Sequence, residues 1–241
     1  MEKRKSRREA LLIGLGLAGL AAGWQVWIRR PRAFEFAPIE GLPGWRQVAG
    51  GAVSGGVGAA VFAGLGEEET VAPLDPGRLC DVLYRGGRAP LPVAVFTDLN
   101  CPYCRRIAPM LAARAAEGRI ALNWLEWPVF GGGSVDVARS LIAAEGMEGA
   151  ERLRALLYGG PGLPLSRALS QAGFSIDRME AASAAPEVED RLTDIRRAAA
   201  LLRLPGTPAM TIGRTLVVGS VTPADLDRLI AAEDGAAPVC G

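Results

Sequence analysis

Leu91-Pro-Val-Ala-Val-Phe-Thr-Asp-Leu-Asn-Cys101-Pro-Tyr-Cys104 carries an apolar run into a pair of thiols two residues apart, and the Ala/Leu/Met-rich stretch that follows has a helical composition. The order strand, dithiol, helix sets Cys101 at a helix start, where free backbone N–H groups and the positive end of the dipole favour a thiolate. A free thiol near about 8.5 is mostly protonated at neutral pH, whereas helix N-termini in such motifs bring it to roughly 3.5 to 7. Each unit of that shift is about 1.4 kcal/mol of preference for the anion. Cys101 and Cys104 therefore read as a dithiol redox site, with Cys101 the attacking sulfur.

The same spacing serves zinc knuckles, but a structural zinc site wants four ligands, and the only other cysteines are the isolated Cys80 and Cys240. No histidine occurs anywhere in the 241 residues, which excludes Cys-His and Ser-His-Asp catalysis and every His-ligated metal. Neither a metal nor a cofactor is expected. The formal charge of +1 and the 6% aromatic content offer no basic stripe or stacking platform for nucleic acid.

Further along, Leu204-Pro-Gly-Thr207-Pro208-Ala-Met-Thr-Ile212 leads a Thr-Pro bond into a β-rich run. Such a bond suits a cis peptide, although an ordinary trans Pro opening a strand is the simpler reading of the segment alone. A cis-Pro loop opposite a dithiol would expose the backbone of the preceding residue, so that a client strand can pair with it during a mixed-disulfide step.

Together these pieces resemble the thioredoxin superfamily, and within it the DsbA-like periplasmic thiol-disulfide oxidoreductases, over about residues 90–235. Val93 to Cys101 looks like the central strand and loop, Pro109 like the kink in the active-site helix, Thr207-Pro208 like the cis-Pro pair, and Met210–Ile212 with Thr215–Val218 like the closing hairpin. The helical stretch of about 134–203 is similar to the insertion that marks the DsbA-like group. The resemblance implies an α/β thioredoxin-like fold with an inserted helical domain, and a dithiol oxidase acting on cysteine-containing exported clients with recycling by a membrane redox partner. It implies that Thr207 and Pro208 hold the client strand and that Tyr103, in the slot where the best-known pattern has a histidine, tunes the site. Reductase and isomerase relatives share these features, and direction depends on reduction potential. A membrane-tethered binding module with a merely structural disulfide is a third reading.

A basic n-region (residues 1–9) precedes an apolar segment (10–28) whose Trp24, Trp27, Arg29 and Arg30 resemble an interfacial belt. It reads as an inner-membrane anchor or export signal, with the heavier positive charge inside and residues 29–241 outside. Ser6-Arg7-Arg8 partly fits a twin-arginine signal, and cleavage near Ala21 or Gly23 would release the domain. Gly14 to Gly19 spells GxGxxG but follows no strand, so no dinucleotide site is assigned.

In the exported part, Phe34–Phe36 and Trp45–Val48 form short strands about Pro43-Gly44, and a Gly-rich stretch and the turn Glu67–Glu69 lead to a short helix at Asp75-Pro76. That helix carries Leu79, Cys80, Val82 and Leu83. A strand over residues 120–130 leads into a Gly131–Gly133 loop, and Ser134 caps the next helix. Ser175, Pro186 and Thr222-Pro223 open later helices, the last burying Leu226, Leu229 and Ile230. Cys80 and Cys240 form a second pair by elimination, against a buried free thiol and a tail thiol as alternatives. Asp98 and Glu126 are placed to assist proton transfer at Cys104, or are solvated strand-end acids. Arg191, Arg196, Arg197 and Arg203 read as a solvent-facing helix side, and Trp124 and Trp127 as core or groove.

Overall fold

The computed structural model describes residues 33–48, 71–85, 91–159, 163–237 and 240. The basic n-region, the apolar segment of 10–28, the Gly-rich stretch and Glu67–Glu69 lie outside the described residues. Among the described residues no helix is long and apolar enough to cross a membrane.

Strand β1 (Phe36–Pro38) pairs antiparallel with β2 (Arg46–Val48), the amino-terminal hairpin with its first strand two residues later than expected. A 3₁₀ turn at Pro76–Arg78, capped by the Asp75 carboxylate on the Gly77 N–H, runs into helix α1 (Leu79–Tyr84). Then come β3 (Leu91–Thr97), α2 (Pro102–Ala116) and β4 (Ile120–Glu126), followed by the helical run α3 (Gly132–Ala143), α4 (Ala150–Tyr158), α5 (Leu165–Ala172), α6 (Ile176–Ser183) and α7 (Pro186–Leu201). The chain returns through β5 (Ala209–Ile212) and β6 (Thr215–Val218) and closes with α8 (Pro223–Glu233).

The six strands lie in the order β1-β2-β6-β5-β3-β4. Central β3 runs parallel to β4, with Thr97 opposite Glu126, and antiparallel to β5, with Phe96 opposite Ala209. From Val93 to Thr97 every residue of β3 is buried, which is why this stretch is apolar without alternation. Because side chains alternate across a strand, Ala94 and Phe96 join Leu125 on one face, against Leu79, Val82 and Leu83 of α1 and Leu192 and Ile195 of α7. Val95 and Thr97 face the other side, where α2 and α4 lie. Each fully buried Leu or Phe contributes about 1.5–3 kcal/mol.

Two polar fastenings hold the carboxy-terminal half. Glu233, 3% exposed at the end of α8, accepts from Arg46 on β2 and from the Thr215 hydroxyl on β6. The two-residue turn Gly213-Arg214 between β5 and β6 places Gly213 at φ 52°, and the Tyr84 hydroxyl donates to its carbonyl. The Thr222 hydroxyl accepts from the Asp225 N–H, the N-cap expected for α8. Cys80 of α1 is joined to Cys240 by a disulfide with Cα atoms 5.5 Å apart. A closed loop with a sequence separation of 160 gives a chain-entropy gain of at most about 5 kcal/mol.

Several expectations are corrected. The strand begun at Ile120 stops at Glu126, and Gly132 and Gly133 belong to the first turn of α3, whose start is Gly131 at φ 89°. Ser134 thus sits inside the helix and caps nothing; its hydroxyl donates to Asp98. Arg191 is half-buried rather than solvent-facing, since its guanidinium reaches back to the Val82 carbonyl, and burial pulls its pKa down to about 10.

Candidate active site

Cys101 is the N-cap residue of α2, with Pro102 in the first helical position, where a missing N–H costs nothing. Its sulfur accepts from the Cys104 N–H at 3.4 Å, one of the donors that a helix start leaves without a partner. Cys104 lies one turn in, and both are free thiols. Pro109 interrupts the ladder further along α2, as expected.

Opposite the dithiol, the Thr207-Pro208 peptide is cis. The Cys101 thiol donates to the Thr207 carbonyl at 3.3 Å, and the Pro208 carbonyl accepts from the Gly219 N–H. Cys101, Cys104, Thr207 and Pro208 thus meet in one place although about a hundred residues separate the two segments. Tyr103, half-exposed, has the Arg106 guanidinium 5.5 Å above its ring. An attacking sulfur is expected to be openly exposed, yet Cys101 is 1% exposed, because the Thr207 peptide covers its sulfur.

The two sulfurs are driven apart electrostatically. Hydrogen bonding from Cys104 is the largest influence on Cys101, and with the Thr207 side chain and the Cys104 and Tyr103 N–H groups it outweighs burial and lowers the thiol to about 6. Burial raises Cys104 well above the ordinary thiol range, and the neighbouring Cys101 raises it further. The pair can hold one negative charge, on the outer sulfur.

Asp98 and Glu126, which in sequence also fit solvated acids, are both interior, at 2% and 1% exposure. Asp98 accepts from the N–H groups of Asn100, Val129 and Phe130 and from the Ser134 hydroxyl, and so binds the loop before Cys101 to the start of α3. Glu126 accepts from Arg154 and from the Tyr158 hydroxyl at 3.2 Å; that hydroxyl is 3.1 Å from Thr97 Oγ1. Arg154 and Tyr158 lie on one face of α4 at a spacing of four residues, both against Trp124. Thr97, Arg154 and Tyr158 do not stand out in the sequence, where that helical spacing is the one signal of them. Trp124 is core, as expected, and Trp127 packs edge-on to Phe96.

No protein-family model matches the chain, and no curated protein does. Solved structures do match. A thioredoxin-like oxidoreductase from Silicibacter pomeroyi aligns with a TM-score of 0.59 and 28% identity over 65% of this chain and 98% of its own. A periplasmic thioredoxin-like protein from Salmonella enterica aligns at 0.60 and 22% identity, covering 68% and 99%. The thiol-disulfide exchange protein alpha-DsbA2 from Wolbachia pipientis aligns at 0.56 and 20% identity, covering 65% and 92%. By its fold, and by the dithiol set against a Thr-Pro loop, the chain is similar to the thioredoxin-like oxidoreductases.

Proposed function

We propose that the protein exchanges its Cys101-Cys104 disulfide with cysteine-containing exported clients, in the direction of client oxidation. The observation that carries the exchange, in either direction, is the Cys101 sulfur, lowered to about 6 and held 3.3 Å from the carbonyl of the residue before Pro208. A client thiolate attacks the Cys101 sulfur of the oxidised pair, breaking the disulfide and releasing Cys104. A second client thiolate then attacks the client sulfur of the mixed disulfide, and Cys101 departs as the thiolate that its surroundings favour. The client loses two electrons and a disulfide forms in it; the protein gains them and is re-oxidised by a membrane redox partner. A client segment lying along Thr207 and Pro208 would add a strand at that edge, and Tyr103 borders the entry. The Cys80-Cys240 bridge is the structural one. The apolar composition of residues 10–28 supports a periplasmic location for the domain, with that segment as an inner-membrane anchor or a cleaved signal.

A reductase is the second reading, favoured by the Cys101 value itself: about 6 lies closer to the roughly 7 of a reducing dithiol than to the roughly 3.5 of a strong oxidant. Equilibrating the dithiol with glutathione separates the two. A potential near about −120 mV supports oxidation, and one near about −270 mV supports reduction and overturns the first reading.

A further inference from the structure

We infer that Arg106, held over the ring of Tyr103, selects clients that carry a Glu or Asp side chain next to the reacting cysteine. This specificity rests on the exchange reading and adds the class of client that the site prefers.

Four segments frame the Cys101 sulfur. Residues 98–106 contain it, and residues 127–134 are tied to that loop through Asp98, which accepts from Val129, Phe130 and Ser134. Thr207 of residues 204–208 faces the sulfur, and Gly219 of residues 219–221 donates to the Pro208 carbonyl. In all four the only charged residues are Asp98, Arg105 and Arg106. Asp98 is 2% exposed, its carboxylate turned inward by the hydrogen bonds it accepts. Arg105 is half-buried, and its Nε donates to the Leu99 carbonyl, which braces the loop ahead of Cys101. Arg106 is exposed, touches the Tyr103 ring, and has no carboxylate partner among the described residues. The rim thus meets an incoming chain with positive charge alone.

Helix geometry aims that charge. Side chains of a helix lean toward its amino-terminal end, so Arg106, in the second turn of α2, reaches back to the turn that opens at Cys101. Residues three apart are neighbours on a helix surface, and the Arg106 guanidinium carbon lies 5.5 Å from the centroid of the Tyr103 ring. Tyr103 stands between the two cysteines in the chain. Contact with the ring holds one face of the guanidinium and leaves its edge N–H groups available for a two-bond fork to a carboxylate. A cation brought to this end of a helix works against the dipole, and the first turn of α2 holds no acidic residue to offset it. Helix stability therefore does not account for Arg106, whereas recognition of an anion does.

The charge serves recognition rather than activation of the thiol. Hydrogen bonds from Cys104, Thr207 and Tyr103 are what lower the Cys101 thiol. A client whose cysteine approaches Cys101 brings its adjoining side chains over the rim, where a Glu or Asp meets the Arg106 guanidinium and a Lys or Arg is repelled. Because Arg106 is exposed, the attraction is screened by salt and modest in size. It is felt as a graded difference in the rate at which clients form the mixed disulfide.

Three peptides test this, each with one cysteine held as a disulfide to coloured thionitrobenzoate and differing only in a Glu, Gln or Lys beside that cysteine. Mixed with reduced protein, the Cys101 thiolate attacks the peptide sulfur, the peptide disulfide breaks, and thionitrobenzoate leaves as the thiolate whose colour is followed. Each rate is divided by that of the same peptide with 2-mercaptoethanol, which removes the effect of the neighbouring charge on the peptide's own reactivity. At low ionic strength the Glu peptide should react about fivefold faster than the Lys peptide, the worth of an exposed charge pair, with the Gln peptide between them. The difference should fade in roughly 1 M salt. Arg106→Gln should bring Glu and Lys peptides to within about 1.5-fold of each other, Arg106→Lys should keep most of the preference, and Arg106→Glu should reverse it. The Cys101 titration in Arg106→Gln should match that of the unaltered protein. Failure of every peptide to react would sink the exchange reading itself. Given reaction, equal rates for the Glu and Lys peptides, a preference that survives in Arg106→Gln, or its loss together with a shifted Cys101 titration would overturn the role of Arg106.

Discussion

The molecule holds two cysteine pairs, and their surroundings differ in every respect that matters to sulfur chemistry. Cys80 and Cys240 are 160 positions apart in sequence, bridged, and packed on the rim of the core. Cys101 and Cys104 are three apart, unbridged, set at a helix start and faced by a carbonyl, with one sulfur lowered and the other raised. A staple needs distance along the chain, because its benefit is the loop it closes. An exchange site needs the opposite: closeness, an asymmetry between the sulfurs, and a nearby edge for a third sulfur to approach.

The sharpest way to break the contrast is to remove one sulfur from each pair. Cys101→Ser should abolish oxidation of a reduced, unfolded client, a loss on the order of 1,000-fold or more. Cys80→Ser should leave that rate almost unchanged. In equilibrium denaturation the order reverses: Cys80→Ala with Cys240→Ala should lower stability by about 2–5 kcal/mol. Comparable losses from the two pairs in either assay would dissolve the distinction.

Titration sharpens it further. Because folding lowers the Cys101 thiol to about 6, the native reduced protein binds fewer protons than the unfolded chain between that value and the ordinary thiol range. The stability gained from Cys101 is present above the ordinary thiol pKa and is lost as pH falls through about 6. Raised Cys104 works the other way, its contribution present below the ordinary range and lost only at higher pH. Denaturation of reduced and oxidised protein across this window should show the slope in the reduced form alone. The smallest effect belongs to Thr207, which is fully buried beside the Cys101 sulfur. Its side chain favours the thiolate, and Thr207→Val should raise the Cys101 titration by about one unit, the worth of one hydrogen bond to a charged group. Thiolate absorbance followed against pH measures it.

Much of the exchange site is legible in the amino-acid sequence. The unbroken apolar run into Cys101, the Pro following it, and the Thr-Pro pair ahead of a hairpin each carry a local signal, and β3, α2, β5 and β6 form from those residues. The start of α3 is not legible, because a Gly131 at positive φ can open a helix as well as a loop, and Ser134 fits a cap at its own helix end when it is Asp98, 36 positions earlier, that holds it. Burial of Cys101, Asp98 and Glu126 leaves no local mark either, since it comes from segments distant in sequence closing over them. For the same reason Thr97, Tyr158 and Arg154 look like ordinary strand and helix residues: their alignment exists only once β3, β4 and α4 are assembled.

The central claim is that the Cys101 sulfur swaps covalent partners while Cys104 resolves them. Folded Cys104→Ala protein should be mixed with a peptide carrying one activated cysteine and mapped by mass spectrometry without reductant. The account predicts the peptide on Cys101 and the Cys80-Cys240 bridge intact; a folded protein whose Cys101 carries no peptide, or whose peptide sits on Cys80 or Cys240, contradicts it.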